Sequence, residues 1–294
     1  MLITDEYKKY KRILRYYLLR VILSGIEALP VRVLPKLKLL LIKIFPIFWK
    51  KEFMSAEKFL PAEFAQKKDF ILKKMLENQV LTILEVLLYE KLVKEKKNFV
   101  TVVGKEHIDH AIELKKGIII LTAHYCNWEV LGYELVKMGL PLVVVARAQA
   151  VSQMTELMNS YREKRGVKVL MSDTVTDALS VLKSGGTLGL LTDLNAREHG
   201  YQVDFFGKKA SFYSTPVVLS VRSGASVIPT FIERTSEGNL VVRFEEPIIW
   251  AKNETMKQRI QKYAICYEKA FRNKPQFWCW FHERYKFAEL GKAR

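Results

Sequence analysis

The sequence predicts an α/β fold: a central, largely parallel or mixed sheet flanked by helices, preceded by a helical extension that associates with a membrane. Three observations predict it. From residue 99 onward, short β-branched runs alternate with helical stretches. Those runs lack the polar alternation of a half-solvated strand, so both faces of the sheet are expected to be covered. Before residue 99, apolar positions such as Phe70, Leu72, Met75, Leu76, Val80, Ile83 and Leu84 recur at helical spacing, and Lys94 to Lys97 close the region with a charged turn. The chain is therefore divided into a helical region at 1–98, with an interfacial anchor over about 1–50, and an α/β domain at 99–294.

The anchor rests on charge as well as pattern. The chain carries a formal charge of +17, from 48 basic and 31 acidic side chains, which favours anionic partners. Eleven Lys/Arg and three Asp/Glu fall in the first fifty residues, so +8 of that surplus sits there. Segment 13–29 is apolar enough to enter a bilayer interface, but Arg20 and Glu27 interrupt it, which argues against a full span. Segment 34–49 sets Lys36, Lys38 and Lys43 among Leu, Ile, Phe and Trp, as a helix lying in the headgroup plane requires. A pair of core-facing helices with basic outer faces is the alternative. The recurring charges and the lack of a clean cleavage site argue against a signal peptide.

Within the domain, strands are expected at 118–122, 142–145, 167–171, 188–192, 227–232 and 240–244. Helices are expected at 128–138, 152–164, 175–182, 215–223 and 256–271, the last presenting Ile260, Tyr263, Ala264, Tyr267 and Phe271 on one side. Cys126, Cys266 and Cys279 show no paired spacing, which suits a reducing compartment. No Cys/His set has zinc-ligand spacing, and His107 and His110 in GKEHIDH are read as a solvated turn, so no metal is expected.

The stretch GIIILTAHYCNWEVLGY, residues 117–133, concentrates the chemistry. It runs from an apolar strand through His124 into a helix that carries Glu129, and strand ends are where open α/β sheets gather their sites. Five residues apart on one helix, the two side chains would diverge by about 140°. With Asn127 as N-cap, His124 precedes the helix and Glu129 lies in its first turn, so the reversal can fold the imidazole onto the carboxylate. Glu129 at Nδ1 would leave Nε2 to accept a proton from an attacking hydroxyl.

AHYCNWE resembles the His-x-x-x-x-Asp/Glu motif of glycerolipid acyltransferases, in the form found in bacterial lipid A late (lauroyl/myristoyl) acyltransferases and related mycobacterial mannoside acyltransferases. The resemblance extends from Val102-Val103-Gly104-Lys105-Glu106-His107 and Lys116-Gly117, through Asp193 after LGLLT and Val203-Asp204-Phe205-Phe206-Gly207, to Ser223-Gly224-Ala225 and Val227-Ile228-Pro229. It ends at Pro275-Gln276-Phe277 and Trp280-Phe281-His282-Glu283-Arg284-Tyr285-Lys286. It implies His124 as general base and Glu129 as its orienter. The substrate-binding candidates are Arg147, Arg162, Asp193 and Asn127. Arg147 would be the basic residue of a second motif, Arg162 would meet a phosphate, and Asp193 would orient an acceptor sugar or an arginine. Arg165 is equally well explained by a solvated helix face. Trp278, Trp280, His282 and Arg284 are given no catalytic role.

The same resemblance implies transfer of a fatty acyl chain from an acyl carrier protein or coenzyme A thioester to an anionic, phosphorylated glycolipid such as a lipid A precursor. It further implies the cytoplasmic face of a bacterial inner membrane, and no cofactor beyond the acyl donor. A hydrolase using Cys126 or a serine would lack a G-x-S-x-G elbow. A non-enzymatic basic membrane- or nucleic-acid-binding protein would leave the His124 turn unused; no nucleic-acid module is recognisable, and no nucleic acid is expected.

Overall fold

The computed structural model describes residues 2–146, 152–171 and 175–281. Four α-helices precede the sheet: α1 (Leu2–Ala28), α2 (Leu34–Phe48), α3 (Lys50–Phe59) and α4 (Lys68–Glu95). The chain then runs β1 (Val100–Val103), α5 (Lys105–Glu113), β2 (Ile118–Thr122), α6 (Trp128–Lys137), β3 (Leu142–Val145), α7 (Ser152–Glu163), β4 (Lys168–Leu170) and α8 (Val175–Lys183). It continues through β5 (Thr187–Leu191), the hairpin β6 (Tyr201–Phe205) and β7 (Lys208–Phe212), α9 (Thr215–Ser223), β8 (Ser226–Arg234), β9 (Leu240–Phe244) and α10 (Met256–Asn273).

Seven strands form one sheet in the order β1-β9-β8-β2-β5-β3-β4. Every neighbouring pair is parallel except β8 and β9, whose antiparallel pairing follows from their short connection. The sheet is thus mostly parallel and mixed, as predicted. All six expected strands are present. Three keep their expected bounds, the runs at 188–192 and 227–232 shift by one or two residues, and the run at 167–171 narrows to Lys168–Leu170. Two features differ from expectation. GKEHIDH is the start of helix α5, which buries Ile108 and Ala111 one turn apart and leaves His110 exposed; it is not a turn. The VDFFG block forms the end of β6 and the tip of the separate β6–β7 hairpin, with Phe206 and Gly207 in positive φ.

Strand β2 is central, between β8 and β5, and all five of its residues are buried. Burying Ile118 to Leu121 stabilises the fold by about 2 kcal/mol for each side chain. Gly117 feeds this strand with φ +76, and a Cβ there would stand 2.4 Å from the Leu182 carbonyl oxygen, so only glycine fits.

Helix α4 binds the N-terminal helices to the domain. It packs against α1, α2 and α3 on one side and α6 on the other. Its buried residues include Ile71, Met75, Val80, Leu84 and Leu88, and also the polar Asn78, Gln79, Thr82 and Glu85. A buried polar row inside a long apolar helix calls for partners. Asn78, Thr82 and Glu85 find partners in the turn after β2, and Gln79 donates to Cys279 Sγ in the segment after α10.

Candidate active site

His124 stands just past the carboxyl end of β2, in a turn whose backbone is tightly constrained. Cys126 has φ +50, a left-handed conformation that costs a non-glycine residue roughly 1–2 kcal/mol. Hydrogen bonds from two directions hold it. Cys126 N donates to Phe277 O at 2.8 Å, and Thr82 Oγ1 of α4 donates to Cys126 O at 2.9 Å. Beside it, Tyr125 bridges to Trp278 in the segment after α10.

Asn127 caps α6 as the sequence suggests, its Oδ1 accepting from Val130 N at 3.1 Å. Its Nδ2 donates to Glu85 Oε2 at 2.8 Å, and Glu85 is also paired with Arg234. Asn127 is fully buried and does not line the cavity at His124, so the substrate contact expected of it is replaced by a structural role.

The predicted partnership between His124 and Glu129 is also replaced. Asp193 takes the imidazole: His124 Nδ1 lies 2.9 Å from Asp193 Oδ1. Asp193 Oδ2 accepts from His124 N at 3.0 Å and from Trp278 Nε1 at 2.8 Å. Glu129 instead forms a two-pronged ion pair with Arg162 of α7, Oε2 to Nε at 2.9 Å and Oε1 to Nη2 at 2.5 Å, with Asn159 Oδ1 accepting from Nη1 at 3.2 Å. The physical reason is direction. The first turn of α6 aims Glu129 toward α7, whereas Asp193 follows the strand paired with β2. Thr122 is in register with Leu191, so the residues two beyond each, His124 and Asp193, emerge side by side.

Asp193 is buried, and its carboxylate has the His124 ring, the His124 amide and the Trp278 indole among its partners. Arg147, His282 and Arg284 lie outside the described residues. Trp278 and the α4 residues Asn78, Thr82 and Glu85 were not foreseen as contributors; the polar letters within an otherwise apolar helix were the available signal for the latter.

Burial alone would lower the His124 pKa. The adjacent Asp193 charge and its hydrogen bond, with a further push from Glu129, outweigh that, and the net shift is upward from 6.5. Trp128 sits edge-on to the ring at 5.1 Å. The His124 side chain is 24% exposed and lines a cavity of about 470 Å³. Glu129 and Arg162 share that cavity, whose walls include the apolar Val144, Val167 and Leu190. An imidazole held at Nδ1 by a buried carboxylate can receive a proton at Nε2, and the guanidinium can face an anion. Cys126 cannot act beside it as a nucleophile: it is buried, and burial pushes its thiol up to about 12. Among the described residues no group of three His, Cys, Asp or Glu could hold a metal ion.

Known proteins share this chain's pattern. A phosphatidylinositol mannoside acyltransferase of Mycobacterium tuberculosis is 27% identical over 132 residues, 43% of this chain and 42% of the relative. One from Mycolicibacterium smegmatis is 26% identical over 133 residues, 44% of each chain. The match thus spans less than half the length of these curated relatives. A wider match, over residues 5–287, takes in the helical extension, the His124 turn and the C-terminal segment that supports it, and through it the chain belongs to the bacterial lipid A biosynthesis acyltransferase family.

Proposed function

We propose that this protein transfers a fatty acyl chain from a thioester, carried by acyl carrier protein or coenzyme A, to a hydroxyl of a phosphorylated glycolipid at a membrane surface. The observation that carries the reading is the His124–Asp193 pair at the wall of a cavity that also holds Arg162 and apolar side chains. His124 Nε2 takes the proton of the acceptor hydroxyl as its oxygen forms a bond to the thioester carbon. The carbon–sulfur bond then breaks, and the departing thiolate takes the proton back from the imidazolium. Asp193 holds the tautomer and stabilises the imidazolium; Glu129 holds Arg162, whose guanidinium meets a phosphate or the developing oxyanion.

The acceptor class is supported by the family and by relatives named for a mannosylated phosphoinositide. A lipid A precursor is the acceptor we favour, at the cytoplasmic face of a bacterial inner membrane. The surface of α1 supports membrane contact: Tyr10, Leu14, Tyr17, Leu18 and Val21 form an exposed apolar stripe at helical spacing, continued on α2 by Leu39, Leu40, Ile47 and Phe48. No helix among the described residues is long and apolar enough to cross a membrane, so these helices would lie on it.

The test is His124→Ala in an assay following a labelled acyl chain from thioester to glycolipid. We expect the rate to fall by about a thousandfold with vesicle binding unchanged. Full activity in that variant refutes the mechanism, and mass spectrometry of membrane glycolipids with and without the protein identifies the acceptor.

A further inference from the structure

Asn78 and Glu85, two of the α4 residues that support the His124 turn, also line a second cavity, and we propose that it binds an anionic phospholipid, with the phosphate among lysines and the first part of a chain against apolar walls. The cavity measures about 690 Å³, against about 470 Å³ at His124, and the two have no lining residue in common. It lies between α2, α4, the β8–β9 turn and the segment after α10.

Charge indicates the ligand's sign. Five cations and three carboxylates line the cavity, a surplus of two positive charges. Two of the lysines, Lys38 and Lys74, are matched by Glu77 at 2.8 and 2.7 Å, and Arg234 is matched by Glu85. Lys96 lies 5.6 Å from the centre of the Phe99 ring, and among the described residues neither it nor Lys274 has a carboxylate partner. Two buried N–H groups of the lining residues, Asn78 Nδ2 and Arg234 Nε, also lack an acceptor among the described residues. Unpaired donors add positive potential to that of the lysines.

The position indicates that the ligand is an amphiphile. Leu34 and Pro35 at the start of α2 line the cavity, and the same helix carries the exposed Leu39, Leu40, Ile47 and Phe48. Phe70 and Leu81 add apolar wall. A cavity with basic and apolar walls, continuous with a membrane-facing helix, fits a lipid drawn from the bilayer better than a soluble phosphate. Its occupant would sit against the Glu85–Arg234 pair, whose carboxylate receives Asn127 Nδ2, and so would brace the turn that carries His124. The proposal stands whether or not His124 is the base.

The experiment is calorimetric titration of the full chain with dihexanoyl-phosphatidylglycerol below its micelle concentration. Dihexanoyl-phosphatidylcholine and inorganic phosphate serve as separate titrants. One phosphatidylglycerol should bind per chain, with affinity at least about tenfold above either control, and Lys96→Glu with Lys274→Glu should weaken it by about tenfold or more. Leu81→Trp, which fills the apolar wall without touching charge, should also abolish binding. Equal binding of phosphatidylcholine or of phosphate alone overturns the proposal, as does binding that the double lysine variant leaves unchanged. Melting temperature verifies that each variant folds. The lysine variant keeps the test decisive if Leu81→Trp does not fold, because Lys274 is exposed and Lys96 half-buried.

Discussion

Strand β2 and helix α1 are both rich in bulky apolar side chains, yet the two regions treat them in opposite ways. Ile118, Ile119, Ile120 and Leu121 are all buried. On α1, Leu14, Leu18 and Val21 are 70%, 60% and 71% exposed. Apolar residues under the sheet stabilise the fold directly, and their rigidity is inherited by the turn that follows. Exposed apolar residues on α1 contribute little to folding in water, and on the proposed anchor reading they act against a second medium. A change in β2 should therefore be read out in stability and rate together, and a change on α1 in membrane partition alone.

The largest break in that contrast should come at Asp193. Asp193→Asn leaves the volume nearly unchanged but removes the charge that holds the imidazole, and transfer should fall by about a thousandfold or more with vesicle binding intact. The pH profile carries its own sign. Asp193 raises the His124 pKa while burial lowers it, so removing the carboxylate moves the imidazole pKa down, and the residual rate should reach its plateau at lower pH than in the parent. A plateau that stays in place would mean that another group sets the limb.

Next in size is the α1 stripe. Leu14→Glu, Leu18→Glu and Val21→Glu together should lower partition onto anionic vesicles by about a hundredfold or more, since each exposed side chain contributes about 1 kcal/mol or more when buried in lipid. The melting temperature should barely move, because those side chains are exposed in the folded chain. Unchanged sedimentation with vesicles would remove the anchor reading. Arg162→Lys keeps the charge but loses the two-pronged contact with Glu129, and transfer should fall by about tenfold to a hundredfold. The smallest effect is expected from Trp278→Phe. It deletes one of the donors to Asp193 Oδ2, worth about 1–3 kcal/mol to a charged acceptor, and should shift the pH profile where a purely packing role would not.

The fold was legible wherever burial is local in the sequence. Unalternated β-branched runs mark strands covered on both faces, and β2, β3 and β9 appear at their expected bounds. His124 was legible because a strand end, a polar turn and an N-cap occur in succession. Its partner was not, because Asp193 reaches it through the adjacency of β2 and β5, which no local pattern encodes. The contact expected between Glu129 and the imidazole differs for the same reason: nearness in sequence does not encode the direction in which a helix start points, and Glu129 meets Arg162 instead. The hairpin at Tyr201 to Phe212 was missed because its aromatic residues resemble core wall, and they are both core and strand.

Two contacts from the segment after α10 bear on when the protein becomes active during its own synthesis. Phe277 O receives the amide of Cys126, and the Trp278 indole donates to the carboxylate that holds His124. His124 and Asp193 emerge from the ribosome before these residues, and their surroundings lack these two hydrogen bonds until Phe277 and Trp278 arrive. A nascent chain released early would therefore carry every residue of the His124 pair without a braced site. Competence for transfer would follow the arrival of Phe277 and Trp278, after the N-terminal helices have already emerged.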